Sequence, residues 1–115
     1  MTAVVPDVTD DYMQQMLGKS RTYTAMLLRM TEKASAPDGQ QIVWEHGRRN
    51  FQLGAEGKLP IVCPATDDTD FAGIGIFDAT PEEVERLLQD DPGVKAGVFT
   101  YELHPVRGFP GSTLP

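Results

Sequence analysis

The segment Thr22–Met30, TYTAMLLRM, reads as a strand that is apolar on both faces. Tyr23, Ala25 and Leu27 point one way, and Met26, Leu28 and Met30 point the other. Such a strand needs cover on both sides of its sheet, and the rest of the chain offers little. A short helix is expected from about Asp10 to Leu17, capped by Thr9. Tyr12, Met13, Met16 and Leu17 fall there at helical spacing, and Gly18 stands at the position of a C′ glycine. A longer helix is expected from about Asp38 to Glu56, where Asp38 and Gln41 have the spacing of a capping box and Gly57 ends the run. The clearest start signal is Thr80-Pro81-Glu82-Glu83, an N-cap threonine with proline at N1 and glutamate at N3. Val84, Leu87 and Leu88 form the apolar stripe of that helix, and Asp91-Pro92 is expected to stop it.

Three further segments read as strands: LPIVCPA, FAGIGIFDA after the polar turn ATDDTD, and GVFTYELHPV. The order is then β-α-β-β-α-β after an extra N-terminal helix. This is the ferredoxin-like arrangement, an α+β fold with a four-stranded antiparallel sheet. Two helices cover one face of such a sheet. The other face carries the second apolar side of Thr22–Met30, and a patch of that size is rarely left in water. A homodimer with facing sheets is therefore expected. Residues 1–20 read as an N-terminal extension with a short helix, 21–107 as the domain, and 108–115 (GFPGSTLP) as a loose tail. The first six residues read as loose as well.

A chain of 115 residues, 40% hydrophobic and 23% charged, has room for one globular domain. Its net charge of −7 repels phosphate backbones and anionic lipid surfaces, which argues against nucleic acid and membranes as partners. The opening MTAVVPDVTDDY lacks the basic and apolar regions of a signal peptide, and nothing approaches the roughly 18 apolar residues of a membrane span. A lone cysteine, Cys63, allows neither an internal disulfide nor a cysteine zinc cluster. A cytoplasmic protein is the expectation.

Two residues stand out chemically. On a wheel of about 100° per residue, His46 falls in one narrow arc with Ile42 and Leu53, on the inward side of its helix. A buried imidazole needs a partner. Asp91 ends the second helix, and in a ferredoxin-like fold that position approaches the first helix. A carboxylate there would fix the imidazole's tautomer. The plain alternatives are a satisfied core histidine and an ordinary Asp-Pro turn.

Other candidates have plainer readings. Cys63 sits at a strand end with no adjacent base, so it reads as inert rather than nucleophilic. Thr100, Glu102 and His104 form a polar strand face, directed at a dimer cavity or its rim, opposite the apolar Phe99, Tyr101 and Leu103. Gly73-Ile74-Gly75 lacks the third glycine of a dinucleotide fingerprint and lies inside a strand, where it opens a small pocket or admits a close neighbour. Trp44 and Phe51 read as core or interface aromatics. No ligand spacing supports a metal site from His46, His104 and Asp91.

The pattern resembles the YciI-like (YCII-related) family of the dimeric α+β barrel superfamily. The matching residues are His46, Gly57-Lys58-Leu59, Pro64, Gly73 and Gly75, Thr80-Pro81-Glu82-Glu83, Asp91-Pro92, Gly97 and His104-Pro105, spanning about Tyr23 to Arg107. The resemblance implies dimerisation through the sheets and an active site on the family's His and Asp, here His46 and Asp91. The family is similar to small lyases and isomerases such as muconolactone isomerase, and it includes an enzyme that removes chloride from a chlorinated hydroquinone. The family usually has glycine before the proline at position 64; Cys63 stands there in this chain.

The expected activity is a lyase or isomerase that moves a proton on a small ring or lactone-like substrate. His46 is the expected acid/base, and Asp91 orients it and stabilises its imidazolium form. Cys63, Pro64, Gly73, Glu102 and His104 are expected at the substrate, with no metal and no cofactor. Two alternatives stand beside it: a non-catalytic small-molecule-binding or accessory protein using the same cavity, and a purely structural His46–Asp91 pair.

Overall fold

A computed structural model of the chain describes residues 7–115. The elements follow the order α1 (Asp10–Gly18), β1 (Arg21–Met30), α2 (Gly39–Ala55), β2 (Ile61–Pro64), β3 (Phe71–Phe77), α3 (Pro81–Gln89), α4 (Pro92–Lys95) and β4 (Phe99–Gly108). The four strands form one antiparallel sheet in the order β2-β3-β1-β4, the ferredoxin-like topology.

The alternation in β1 sorts as its sequence dictates. Thr24, Met26 and Leu28 are buried beneath the helices, while Tyr23, Ala25 and Leu27 lie on the open face. Met26 and Leu28 meet Leu53 of α2, Phe77 of β3, Val84 and Leu88 of α3, and Val98 and Phe99 at the start of β4. Thr24 is fully buried and satisfies its hydroxyl by donating to the Ala79 carbonyl at 2.8 Å. On the open face, Leu27 pairs with Ile74 on one side and Glu102 on the other, and Ala25 with Ile76 and His104. That face is apolar at its centre and polar along β4.

The helix signals act with three differences. Thr80 caps α3 as expected, accepting from the Glu83 amide at 3.2 Å. Asp38 precedes α2 but makes no side-chain capping bond, so the expected box with Gln41 does not form. Gly18 remains inside α1, with Lys19 closing it in a right-handed conformation. Gly57 does end its helix, turning at a φ of 79° that a side chain would resist.

The third difference reaches the site. Asp91-Pro92 ends α3, whose C-cap is Asp90, but it also starts a further turn of helix, α4, with Asp91 as N-cap and Pro92 at N1. Trp44 and Phe51, read as core or interface aromatics, are 67% and 78% exposed and contribute nothing to the core. Residues 1–6, read as loose, lie outside the described residues. Among the described residues no helix is long and apolar enough to cross a membrane.

Candidate functional site

His46 and Asp91 meet in the core. His46 reaches inward from the middle of α2, and Asp91 stands where α3 gives way to α4. The imidazole is 7% exposed and the carboxylate residue 2%. Nδ1 of His46 lies 2.9 Å from both carboxylate oxygens of Asp91. A carboxylate only accepts hydrogen bonds, so this contact puts the hydrogen on Nδ1.

Asp91 is itself held from behind. The amide N–H groups of Gly93 and Val94 donate to its Oδ2 at 2.9 and 3.1 Å. This is the N-cap bond of α4, so the turn that positions the carboxylate also supplies its extra donors.

The far nitrogen of the ring is engaged by a residue absent from the sequence expectations. Asn50, one turn after His46 on α2, has its amide nitrogen 3.2 Å from Nε2. With the hydrogen on Nδ1, the neutral ring has its lone pair on Nε2, and the Asn50 amide donates to it. Phe99 packs against the imidazole, ring centres 4.4 Å apart and planes tilted by 44°. The i, i+4 spacing of His46 and Asn50 was the available signal for Asn50. Phe99 was assigned to the helix-facing side of its strand, with no sign that it would touch the histidine.

A cavity of about 290 Å³ opens beside His46 and Asn50. Met26, Leu28 and Met30 of β1 and Val62 of β2 give it apolar walls, and Cys63, Pro64 and Gly73 border it at the sheet edge. Gly73 is required there. A Cβ on it would come within 2.5 Å of the Cys63 carbonyl, and its φ of 151° suits glycine. The pairing of β1 with β3 shifts register beside this point, between Leu28 and Arg29.

The remaining expected site residues sort by face. Cys63, Pro64 and Gly73 border the cavity. Glu102 and His104 do not: they stand on the open face of the sheet, exposed and joined to each other at 2.8 Å. His46, Asp91 and His104 are thus not brought together. Among the described residues no cluster of His, Cys, Asp and Glu is arranged to hold a metal ion.

Comparison with the curated proteins finds no match. Among solved structures, one similar fold is 5-chloro-2-hydroxyhydroquinone dehydrochlorinase from Burkholderia phenoliruptrix AC1100, solved with 2,5-dihydroxybenzoquinone. It is 19% identical, with a TM-score of 0.50, over 71% of this chain and 90% of that one. The methylated RPA0582 protein aligns over 92% of this chain and 96% of its own, at 17% identity and a TM-score of 0.38. The family model of the YCII-related domain matches residues 23–107, from the start of β1 nearly to the end of β4 and well over half of the chain. With His46, Asp91 and the βαββαβ core all inside that span, the chain belongs to the YCII-related domain family.

Proposed function

We propose that this chain is a lyase or isomerase in which His46 moves a proton on a small, compact organic substrate. One observation carries the reading: a buried imidazole, fixed at Nδ1 by Asp91, has its other nitrogen directed to the Asn50 side of an apolar cavity. Nε2 is the basic nitrogen and takes the substrate proton. Asp91 faces the imidazolium that results and stabilises it without taking the proton itself. The cavity's volume of about 290 Å³ suits a ring or lactone of few atoms. The dehydrochlorinase among similar folds is a lyase acting on a hydroxylated ring. That agrees with a lyase here and leaves the substrate to experiment.

The reading includes a homodimer with facing sheets. Leu27, Ile74 and Ile76 sit centrally on the open face, and Ile74 is 38% exposed. A second copy would bury them and bring Glu102 and His104 to the rim of the enclosed space.

The test is a panel of chlorinated hydroxyhydroquinones and small lactones, followed by chloride release and by ring absorbance. His46→Ala is expected to lower turnover of any accepted substrate by about 10²–10⁴-fold, the usual contribution of a positioned acid–base group. Undiminished turnover in that variant removes the assignment.

A second reading is a binding or accessory protein using the same cavity. The contact of Asn50 with Nε2 favours it, because the ring already has partners at both nitrogens. Tight binding of a panel member with no turnover at any pH would select it.

A further inference from the structure

Asn50 is the polar side chain of the His46 cavity to which the acid–base chemistry gives no task. It is half-buried on the cavity wall, one turn of α2 from the histidine. Apart from His46, Asn50 and the Cys63 thiol, the side chains lining the cavity are apolar, and no lysine or arginine is among them. Among the described residues the carboxamide makes one hydrogen bond, to Nε2 of His46 at 3.2 Å. Asp91 keeps the ring hydrogen on Nδ1, so Asn50 must donate that bond through its N–H. Its second N–H and its Oδ1 then have no protein partner beside an apolar cavity. Polar groups so placed are costly unless something entering the cavity meets them, and they are the groups by which such cavities orient a ligand.

The same bond places Asn50 on the atom that has to react. Its N–H covers the lone pair of Nε2, where the substrate proton must arrive. For transfer to occur, that N–H has to leave Nε2. Once transfer is complete Nε2 carries a hydrogen of its own, which a second donor cannot satisfy. A donor is therefore released beside the base at the moment the substrate becomes negative. An oxygen on the carbon next to the one losing its hydrogen lies within hydrogen-bond reach of a group in that position.

We propose, resting on the acid–base reading of His46, that Asn50 is a catalytic residue: its carboxamide yields Nε2 to the substrate and donates to the substrate's oxygen, so that the substrate is an uncharged carbonyl compound with a hydrogen on the carbon beside the carbonyl. The substrate C–H bond breaks and its proton goes to Nε2. The bonding pair forms a carbon–carbon double bond, and the carbonyl π pair moves onto oxygen, where the Asn50 N–H meets it. Return of the proton from Nε2 to another carbon restores the carbonyl and completes an isomerisation. Phe99 against the imidazole and the apolar walls keep this exchange out of bulk water. The absence of a lysine or arginine from the lining sets the charge of the substrate. A carboxylate or phosphate would enter with no cation to meet it, in a cavity backed by the Asp91 carboxylate.

Cyclohex-3-en-1-one is the probe. It is uncharged and small for a cavity of about 290 Å³. Its conversion to cyclohex-2-en-1-one moves one proton from the carbon beside the carbonyl to the far end of the double bond. The test follows this conversion by ultraviolet absorbance for the full chain as wild type, His46→Ala, Asn50→Ala and Asn50→Leu, the last keeping the bulk of the side chain. The same ring bearing a carboxylate is run beside it, and the imidazole ¹⁵N spectrum of each Asn50 variant is recorded. Wild type is expected to accelerate the conversion and His46→Ala to abolish the acceleration. Both Asn50 variants are expected to lose about 10²–10³-fold, chiefly in kcat, as for removal of one donor to a developing oxyanion. Their Nδ1 resonance is expected to stay in place, and the carboxylate-bearing ring to gain no acceleration.

Acceleration that needs His46 but not Asn50 overturns the role of Asn50 and leaves the base in place. A loss found only together with a moved Nδ1 resonance overturns it too, because the cause is then a disturbed His46–Asp91 pair. Equal acceleration of the carboxylate-bearing ring overturns the uncharged substrate. No acceleration by wild type overturns the carbonyl class, while His46 still answers to the chlorinated hydroxyhydroquinones. Acceleration that survives His46→Ala strikes the acid–base reading itself.

Discussion

Asp91 serves His46 and its own helix with one carboxylate: Oδ2 lies 2.9 Å from the imidazole Nδ1 and 2.9 Å from the Gly93 amide nitrogen that it caps. Removing that carboxylate leaves three donors without an acceptor: the buried Nδ1–H of His46 and amide of Gly93, and the part-buried amide of Val94.

Asp91→Ala is therefore expected to destabilise the fold by at least about 1–3 kcal/mol, the cost of leaving a buried donor unsatisfied. Urea denaturation followed by far-ultraviolet circular dichroism measures it. Asp91→Asn keeps an oxygen for the α4 amides and is expected to cost markedly less. Equal losses in the two variants would mean that the cap contributes little.

Asn50→Ala removes the donor to Nε2 and keeps the Asp91 contact. The ¹⁵N resonance of Nε2 is expected to move while that of Nδ1 stays. The fold should lose about 0.5–1.5 kcal/mol, the net worth of an ordinary hydrogen bond. Imidazole ¹⁵N spectroscopy on the two histidines reads this directly, with His104→Gln supplying the assignment. An unmoved Nε2 resonance would show that Asn50 does not touch the ring in solution.

Tyr101 provides a pH marker away from the site. Burial, then its hydrogen bond to Glu85 and the charge of that carboxylate, push its hydroxyl from 10.0 up to about 12. The folded state holds this proton more tightly than the unfolded chain does. Its contribution to stability is thus complete below pH 10 and is lost as pH rises through about 12. The difference in absorbance at 295 nm between wild type and Tyr101→Phe should titrate near pH 12. A difference centred near 10 would mean that both the burial of the hydroxyl and its contact with Glu85 are absent.

The open face makes its own prediction. Leu27→Asp places a charge at its centre, between Ile74 and Glu102. With facing sheets the variant is expected to lose that pairing at micromolar concentration, read by sedimentation, while keeping its circular dichroism. Pairing unaffected by this change would place any dimer elsewhere.

The βαββαβ order and the two faces of β4 were legible because period-2 alternation survives tertiary packing, whereas β1, apolar on both sides, did not say which side the helices cover. In β4, Phe99 goes inward and Thr100, Glu102 and His104 go outward. The inward aim of His46 followed from its arc with Ile42 and Leu53. What could not be read was anything that depends on where two elements cross. Asn50 offered only its i, i+4 spacing from His46, and Phe99 no sign of a ring packed against the imidazole. The second role of Asp91-Pro92 was hidden for a local reason. The same dipeptide that forbids continuation of α3 is a cap and an N1 proline for whatever follows, and α4 is too short to show a period. Trp44 and Phe51 read as core or interface, and only the core half fails, because apolar character does not say that the same chain does the covering.

The bond from Gly93 to Asp91 ties the imidazole's partner to the coiling of one short turn. In a chain where residues 92–95 have not yet coiled, the carboxylate lacks its two amide partners and is free to hydrate away from the imidazole. An imidazole held at Nδ1 is then by construction a sign that sheet, helices and the 91–95 turn are all in place. The imidazole's partner and the 91–95 turn are thus lost together, since one carboxylate serves both.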